Sequence, residues 1–439
     1  MAKKTKDSNL SLEEKLEQAL IPNWDEPYKL PDNWCWVNLG TICSLENGVK
    51  QSDEELVYLD AKTLREINEP QFRDNGVVVV QNQKVILVDG ENSGEVFIVP
   101  YRGYMGSTFR IINISKSSDE MYVRYFIDFN RDKLRKNKVG SAIPHLNKEL
   151  FFSLKFPFPP LSEQQRIVAR IESLFAKLDE AKEKAQEVVD GFEARKAAIL
   201  HKAFSGELTA KWREENGIGL DAWKINSIDE LCHSLKYGTS KKSKSEGSVV
   251  VIRMGNLQQG EIDWSDLAYT DDQEDIEKYK LNPGDVLFNR TNSAVLVGKT
   301  SIYRGEYPAI FAGYLIKLDY DHERILGEYL NYSLNTTAAK EYCNSVKTDG
   351  VNQSNINAKK IGAFEIPVAS LSEQKEIVRI IKSLLEKENQ SKEIAEAVIE
   401  QIDTMKKAIL ARAFRGELGT NDPSEENAVE LVKKALSGE

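Results

Sequence analysis

The side chains best suited to chemistry gather in four short polar stretches. Asn289-Arg-Thr-Asn-Ser293 follows an apolar run and offers Asn289, Arg290 and Asn292; Arg and Asn are the residues that pair bidentately with guanine and adenine edges. Asn352-Gln-Ser-Asn355, just past Gly350, presents Asn352, Gln353 and Asn355. Two basic groups add charge: Arg131, Lys133, Arg135, Lys136 and Lys138 before Gly140, and Lys241, Lys242 and Lys244 in a loop holding Ser and Gly. Singly, each basic run reads first as a solvated surface, and Asn289–Ser293 equally as a polar turn. What they share is base and phosphate recognition.

Bond-breaking chemistry lacks its residues. A base-modifying methyltransferase needs a glycine-containing cofactor loop and an Asn/Asp-Pro-Pro-aromatic turn for the flipped base. Phe156-Pro-Phe-Pro-Pro160 lacks the polar residue and leads into a helix. No phosphate-binding GxxxxGK[ST], HExxH or GxSxG sequence occurs. Glu180-Ala-Lys182 resembles the tail of a nuclease motif, but no aspartate is suitably placed upstream. Cys35, Cys43, Cys232 and Cys343 are scattered, as are His145, His201, His233 and His322, so neither a metal site nor disulfides are expected. The reading is of a non-catalytic chain that needs no metal or cofactor of its own.

The elements that carry these stretches are organised by a duplication. Leu161-Ser-Glu-Gln recurs at Leu371, 210 positions on, and Ala198-Ile-Leu-His-Lys-Ala-Phe-Ser-Gly-Glu-Leu208 recurs at Ala408 with the same offset. The blocks align without a gap, and about half their positions are identical. Gly140 pairs with Gly350, Asn147 with Asn357 and Pro157 with Pro367. Upstream, Trp34–Cys43 matches Trp223–Cys232 more loosely at an offset of 189, so the second copy carries about 21 extra residues, assigned to Lys241–Gly247 and Asp271–Lys280. The period far exceeds the ~20–50 residues of stacked repeats.

The duplicated blocks read as long helices. Apolar residues fall at Ile167, Ile171, Leu174, Leu178, Ala181, Ala185, Val188, Phe192 and Ile199 in the first, with Arg195 breaking the stripe. The second has Ile377, Ile381, Leu384, Ala395, Val398, Ile402, Met405 and Ile409, interrupted by Glu388 and Ser391. Alternating steps of three and four make a heptad seam, so each stripe can bury against the other. Ser162 and Ser372 fit as N-caps and Gly206 as a C-terminal glycine, with one continuous helix from Ser162 to Phe204.

The intervening segments read as strands and loops: Val77–Val80, Val85–Val88, Val249–Arg253 and Asp285–Phe288, with one helix each near Met121–Leu134 and Ile325–Tyr342. The chain is soluble in composition, 41% hydrophobic and 29% charged, with no apolar run long enough for a membrane and no secretory leader. A net charge of −10 argues against indiscriminate nucleic-acid coating but leaves room for a local basic face.

This order, from about Leu30 to Leu418, resembles the specificity subunit of type I restriction–modification systems. The duplicated Leu-Ser-Glu-Gln and Ala-Phe-x-Gly-Glu-Leu helix signatures are specific to that family; Trp34, Trp223 and Gly284-Asp-Val-Leu287 support it. The resemblance implies an α+β fold of two globular target-recognition domains separated by two antiparallel coiled-coil helices, with a pseudo-twofold internal duplication. The divisions are 1–30 as an N-terminal segment, 31–160 and 211–370 as recognition domains, 161–210 and 371–418 as spacer helices, and 419–439 as a tail. It implies a cytoplasmic DNA-binding protein whose domains each read half of a bipartite target, with the helices fixing the gap. Two adenine-methyltransferase subunits, using S-adenosylmethionine, are the implied partners, joined in some systems by two motor–nuclease subunits using ATP and magnesium. Short helices near Ser11–Leu20 and Ala428–Leu436 would close the ring beside the first domain. The alternatives are a specificity subunit for a methyltransferase–nuclease fusion, or a coiled-coil adaptor that binds only proteins.

Overall fold

The computed structural model describes residues 11–52, 54–140, 144–351 and 353–437. The chain divides into two units: residues 1–184 with 398–439, and residues 185–397. Both long helices are shared between the units, so each unit holds one globular domain and part of each helix.

The two domains repeat one topology. In the first, a sheet runs Cys43–Glu46, Phe109–Ile114, Lys84–Leu87, Val96–Ile98; in the second, Cys232–Tyr237, Leu315–Tyr320, Val286–Asn289, Thr300–Ile302. Beside it, Leu56–Leu59 lies parallel to Gly103–Met105 and antiparallel to Gln71–Arg73. Val249–Ile252 stands likewise between Ala309–Phe311 and Tyr269–Thr270. Val286-Leu-Phe-Asn289 is buried along its whole length, as expected of an apolar run in the middle of a covered sheet. An antiparallel ribbon leads into each long helix: Cys35–Asn38 with Lys155–Phe158, and Lys224–Ser227 with Glu365–Val368.

Each single helix expected from the sequence is two. Glu120–Phe129 and Arg131–Lys136 meet at Asn130, whose amide donates to the Phe126 carbonyl at 2.9 Å. Gly327–Leu334 and Thr337–Val346 are parted by Asn335, which makes the same bond to Asn331 at 2.8 Å, and by Thr336, an N-cap. A short amide that binds its own backbone competes with helix propagation. The extra length of the second domain includes the helix Gln273–Tyr279, and Lys241–Gly247 lies against that region.

The first long helix spans Leu161–Asp190 and Phe192–Phe204, interrupted at Gly191; the second is unbroken over Leu371–Phe414. At the interruption Arg195 Nη2 donates to the Val188 carbonyl at 2.7 Å, an insertion of the kind that accompanies helix breaks. Neither helix is capped by the serine the sequence suggests. Both start two residues earlier than such a cap would place them, so Ser162 instead donates to Glu425 at 2.5 Å, and Ser370 caps the second copy. Gly206 and Gly416 do end their helices in the left-handed region, at φ 83° and 72°.

Of the seam residues, Ile167, Ile171, Phe192, Ile377, Ile381 and Ile402 are buried, while Leu174, Leu178, Val188, Leu384, Val398 and Ile409 are half-buried. Met405 is not in the seam: it is 40% exposed. A straight helix drifts about 20° per heptad against a 3.5-residue pattern, and the inward place passes to Lys406. Its amine lies 5.1 Å from the Phe175 ring centroid and pairs with Asp179 at 2.5 Å. Within each unit the helix segments run antiparallel, Glu163 meeting Thr420 and Asp179 meeting Lys406 in the first, Arg195 meeting Glu388 and Thr209 meeting Glu373 in the second. In the first unit the terminal helices Leu12–Ala19 and Val429–Ser437 pack on each other.

Candidate nucleic-acid interface

The repeated motifs hold the domains rather than bind a ligand. In Leu-Ser-Glu-Gln the Glu and Gln are buried in both copies. Gln164 donates to the Pro159 carbonyl and accepts from the Asp119 amide at 2.8 Å, pinning the start of a domain helix. Gln374 does the same with Ala369 and the Leu326 amide. Glu163 accepts from Thr420 at 2.6 Å and Arg166 at 2.8 Å; Glu373 accepts from Thr209, Arg213 and the Trp223 indole at 2.7, 2.7 and 2.8 Å. Buried polar groups must be paired in this way. Each glutamate thereby ties the start of one long helix to the end of the other.

The aromatic of Ala-Phe-x-Gly-Glu-Leu has an equally defined place. Phe414 packs edge-on to Tyr122, and Phe204 to Tyr329, with ring centroids 5.4 and 4.9 Å apart. Both tyrosine hydroxyls donate to the carbonyl of the repeated proline, Pro157 or Pro367. The motifs that are alike therefore make the frame, and what differs hangs on it.

In the second domain the frame brings two sequence-distant stretches together. Thr291–Asn292 pairs antiparallel with Ser354–Asn355, which pairs with Thr348–Asp349. Arg290 lies with its guanidinium 4.7 Å from the Tyr237 ring centroid and donates to Asn355 Oδ1 at 3.3 Å and the Gly313 carbonyl at 3.4 Å. Asn355 donates to Thr291 Oγ1 at 2.8 Å. Asn292 accepts from the Ser293 amide, and Gln353 is exposed, its carbonyl holding Gly350. Asn289 is buried in the strand, so it supports this corner from below. Asn352 lies outside the described residues.

The lysine and arginine runs stand differently. Lys241 is surrounded by Asp272 at 2.8 Å, Asp275 at 3.4 Å and Glu274 at 3.7 Å, and Lys244 faces Asp271 at 3.5 Å. The hydrogen bond to Lys241 holds Asp272 below the usual carboxylate range. Lys138 pairs with Glu91 at 2.5 Å and Arg131 with Glu95 at 2.8 Å. These cations carry their own counter-ions. Lys136 and Lys242 are exposed.

A cleft in the first domain escaped sequence reading. It holds about 370 Å³ and is lined by Lys50, Tyr58, Arg73, Asn75 and Arg110, among others. The Arg73 guanidinium stacks 3.3 Å from the Tyr58 centroid, and Arg110 donates to the carbonyls of Phe109 and Ser107 at 2.6 and 3.3 Å. Among the described residues no carboxylate lies within ion-pair distance of Lys50, Arg73 or Arg110. The three come from separate strands, so no local run of charge announces them. A basic groove with an aromatic platform suits a nucleic-acid backbone and base.

Among the described residues no three His, Cys, Asp or Glu side chains are grouped to hold a metal, and no helix is long and apolar enough to cross a membrane. Burial pushes the thiols of Cys35, Cys43 and Cys232 up to about 12, and that of Cys343 to about 11.

The sequence model of the type I restriction modification DNA specificity domain matches this chain twice, at residues 31–189 and 221–401. The chain belongs to the type I restriction–modification DNA specificity family. The StySPI specificity subunit of Salmonella potsdam is 24% identical over 420 residues, covering 89% of this chain and 90% of its own. The EcoKI subunit of Escherichia coli K12 is 24% identical over 421 residues, covering 89% and 90%. The MjaVIII subunit of Methanocaldococcus jannaschii is 26% identical over 411 residues, covering 89% and 94%. The crystal structure of the HsdS subunit from Thermoanaerobacter tengcongensis shares the fold, with a TM-score of 0.62 at 21% identity, over 90% of this chain and 99% of that one. As a specificity subunit this chain supplies sequence-specific DNA recognition; neither the fusion-system nor the adaptor reading gains support from these matches.

Proposed function

We propose that each domain reads one half of a bipartite DNA sequence and that the paired helices fix the unread gap between the halves. The observation that carries this is a shared backbone frame with exchanged side chains. The Val88 amide bonds the Thr108 carbonyl and the Val88 carbonyl accepts from Leu146; in the second domain Arg290 makes the same two bonds, with Tyr314 and Ile356. Within that frame the Asp89–His145 contact of 2.6 Å stands where Thr291–Asn355 stands in the second domain. Glu95, whose carbonyl accepts from the Leu87 amide, stands where the Lys299 carbonyl accepts from the Asn289 amide. Two domains built alike with different polar edges suit two different half-sites.

In this reading two methyltransferase subunits dock on the chain in the cytoplasm and bring S-adenosylmethionine. Two ATP- and magnesium-dependent restriction subunits complete the assembly, and this chain performs no chemistry. Joining two weak readers multiplies their discrimination, since the second engages at high effective concentration. The test is to co-express the chain with its methyltransferase and sequence adenine methylation genome-wide. A bipartite motif with one fixed gap is expected, and absence of any new motif overturns the reading. Inserting one helical turn within the long helices should change the gap and leave both half-sites intact.

A further inference from the structure

We propose that Arg110 in the first domain and Arg290 in the second are the principal base-reading groups of the chain, each directed at a guanine of its half-site. The inference rests on the half-site reading above and goes further by naming the residues and the base.

The two arginines occupy one place in the fold but not one place in the alignment. Three backbone bonds fix the correspondence. Gly106 donates to Leu59 as Ala312 donates to Ile252, Phe109 to Gly106 as Leu315 to Ala312, and Val88 to Thr108 as Arg290 to Tyr314. Ser107 therefore corresponds to Gly313, and Arg110 to Ile316, while the counterpart of Arg290 is Val88. Yet Arg110 Nη1 donates to the Ser107 carbonyl at 3.3 Å, and Arg290 Nη1 donates to the Gly313 carbonyl at 3.4 Å. A guanidinium reaches the same carbonyl in both domains from two different places, Arg110 on the strand Phe109–Ile114 and Arg290 just past the strand Val286–Asn289. Duplication cannot leave that behind, because the parent position is apolar in the other copy each time; a shared requirement at this corner can.

The chemistry of the corner separates these arginines from structural ones. Arg213 shows what a structural guanidinium looks like here: it is buried and bonded to Glu373, Thr209 and the Gly206 carbonyl at 2.7 to 3.0 Å. Arg110 and Arg290 are only half-buried, and among the described residues neither meets a carboxylate within ion-pair distance. The Nε of each is enclosed without a hydrogen-bond partner. Arg290 lies over the Tyr237 face, and Arg110 lines the cleft in which Arg73 stacks on Tyr58. A planar fork that is held in position but not neutralised suits the O6 and N7 acceptors of guanine in the major groove.

The experiment uses the full chain co-expressed with its methyltransferase, carrying Arg110→Gln, Arg290→Gln or the corresponding lysine substitutions. Genome-wide adenine methylation is the readout. The expected result is that each variant relaxes one guanine position in one half-site, in different halves for the two arginines, while the other half and the gap persist. Lysine should relax the same position, since it keeps charge but lacks the fork. An unchanged motif in both variants overturns the proposal, and so does a uniform loss of methylation with no position relaxed, which would mark phosphate contacts. Where a glutamine variant does not assemble, its lysine partner is judged by the same criteria; failure of both assigns the residue to folding and overturns the proposal. A wild-type complex that yields no bipartite motif would instead overturn the half-site reading.

Discussion

Arg195 Nε donates to Glu388 Oε2 at 2.6 Å, so two of the three polar residues that interrupt the apolar stripes of the long helices are partners. Neither is fully buried, with side chains 37% and 25% exposed. A polar pair inside an apolar seam fixes register more than it stabilises. Arg195→Leu and Glu388→Leu should each lower stability, while the double variant recovers most of the loss. A double-mutant cycle by urea unfolding should give a coupling of about 0.5–3 kcal/mol. Purely additive losses would show that the contact is incidental.

The two buried glutamates of the repeat make an unequal pair, although they are identical in sequence. Glu373 faces Arg213, which is 9% exposed, whereas Glu163 faces Arg166, which is 39% exposed and also bonded to Glu425. Removing Glu373 strands a buried cation. Glu373→Ala should cost about 3–5 kcal/mol. Glu163→Ala leaves Arg166 with solvent and Glu425, and should cost clearly less. Equal losses in denaturant melts would refute the role assigned to Arg213.

Glu328 supplies a pH signature. Burial raises its carboxyl, but hydrogen bonds from Lys382 and from Arg304 at 2.8 Å outweigh this and hold it below its ordinary value. A carboxyl depressed in the fold stabilises above its unfolded value, and that contribution is lost as pH falls through the depressed one. Glu328→Gln should therefore melt lower than wild type at neutral pH, and the gap should close on acidification below about 4.5. A gap unchanged at about pH 3 would mean that packing, not charge, sets the difference.

What the sequence revealed was whatever had a period. Repetition exposed the helices, their order and the family, because the Glu–Gln and Phe contacts recur with identical geometry around Gln164 and Gln374. The seam was legible except at Met405, where helical drift turned Lys406 inward. Helix starts were misplaced by two residues, since the cap positions are Pro160 and Ser370 rather than Ser162 and Ser372. The site was only half legible. Asn289–Asn292 and Asn355 came from runs of the right chemistry. By contrast Lys50, Arg73 and Arg110 sit on separate strands and meet only through sheet topology, and the acid that neutralises Lys241 lies some thirty positions away at Asp272.

That difference in counter-ions predicts which cations meet DNA. Lys241 and Lys244 are matched by Asp272, Asp275 and Asp271, whereas Lys50 and Arg73 line an open cleft with no carboxylate in range among the described residues. Each phosphate contact releases about 0.9 of a counterion in duplex binding, so its removal lowers the slope of log affinity against log salt by about one. With the assembled methyltransferase complex on a duplex carrying its target, Lys50→Gln and Arg73→Gln should each reduce that slope by about one. Lys241→Gln and Lys244→Gln should leave it nearly unchanged, because they remove a cation already paired within the protein. The reverse pattern in a salt titration would move the phosphate track of the second domain onto the Lys241–Gly247 loop and take it off the first-domain cleft.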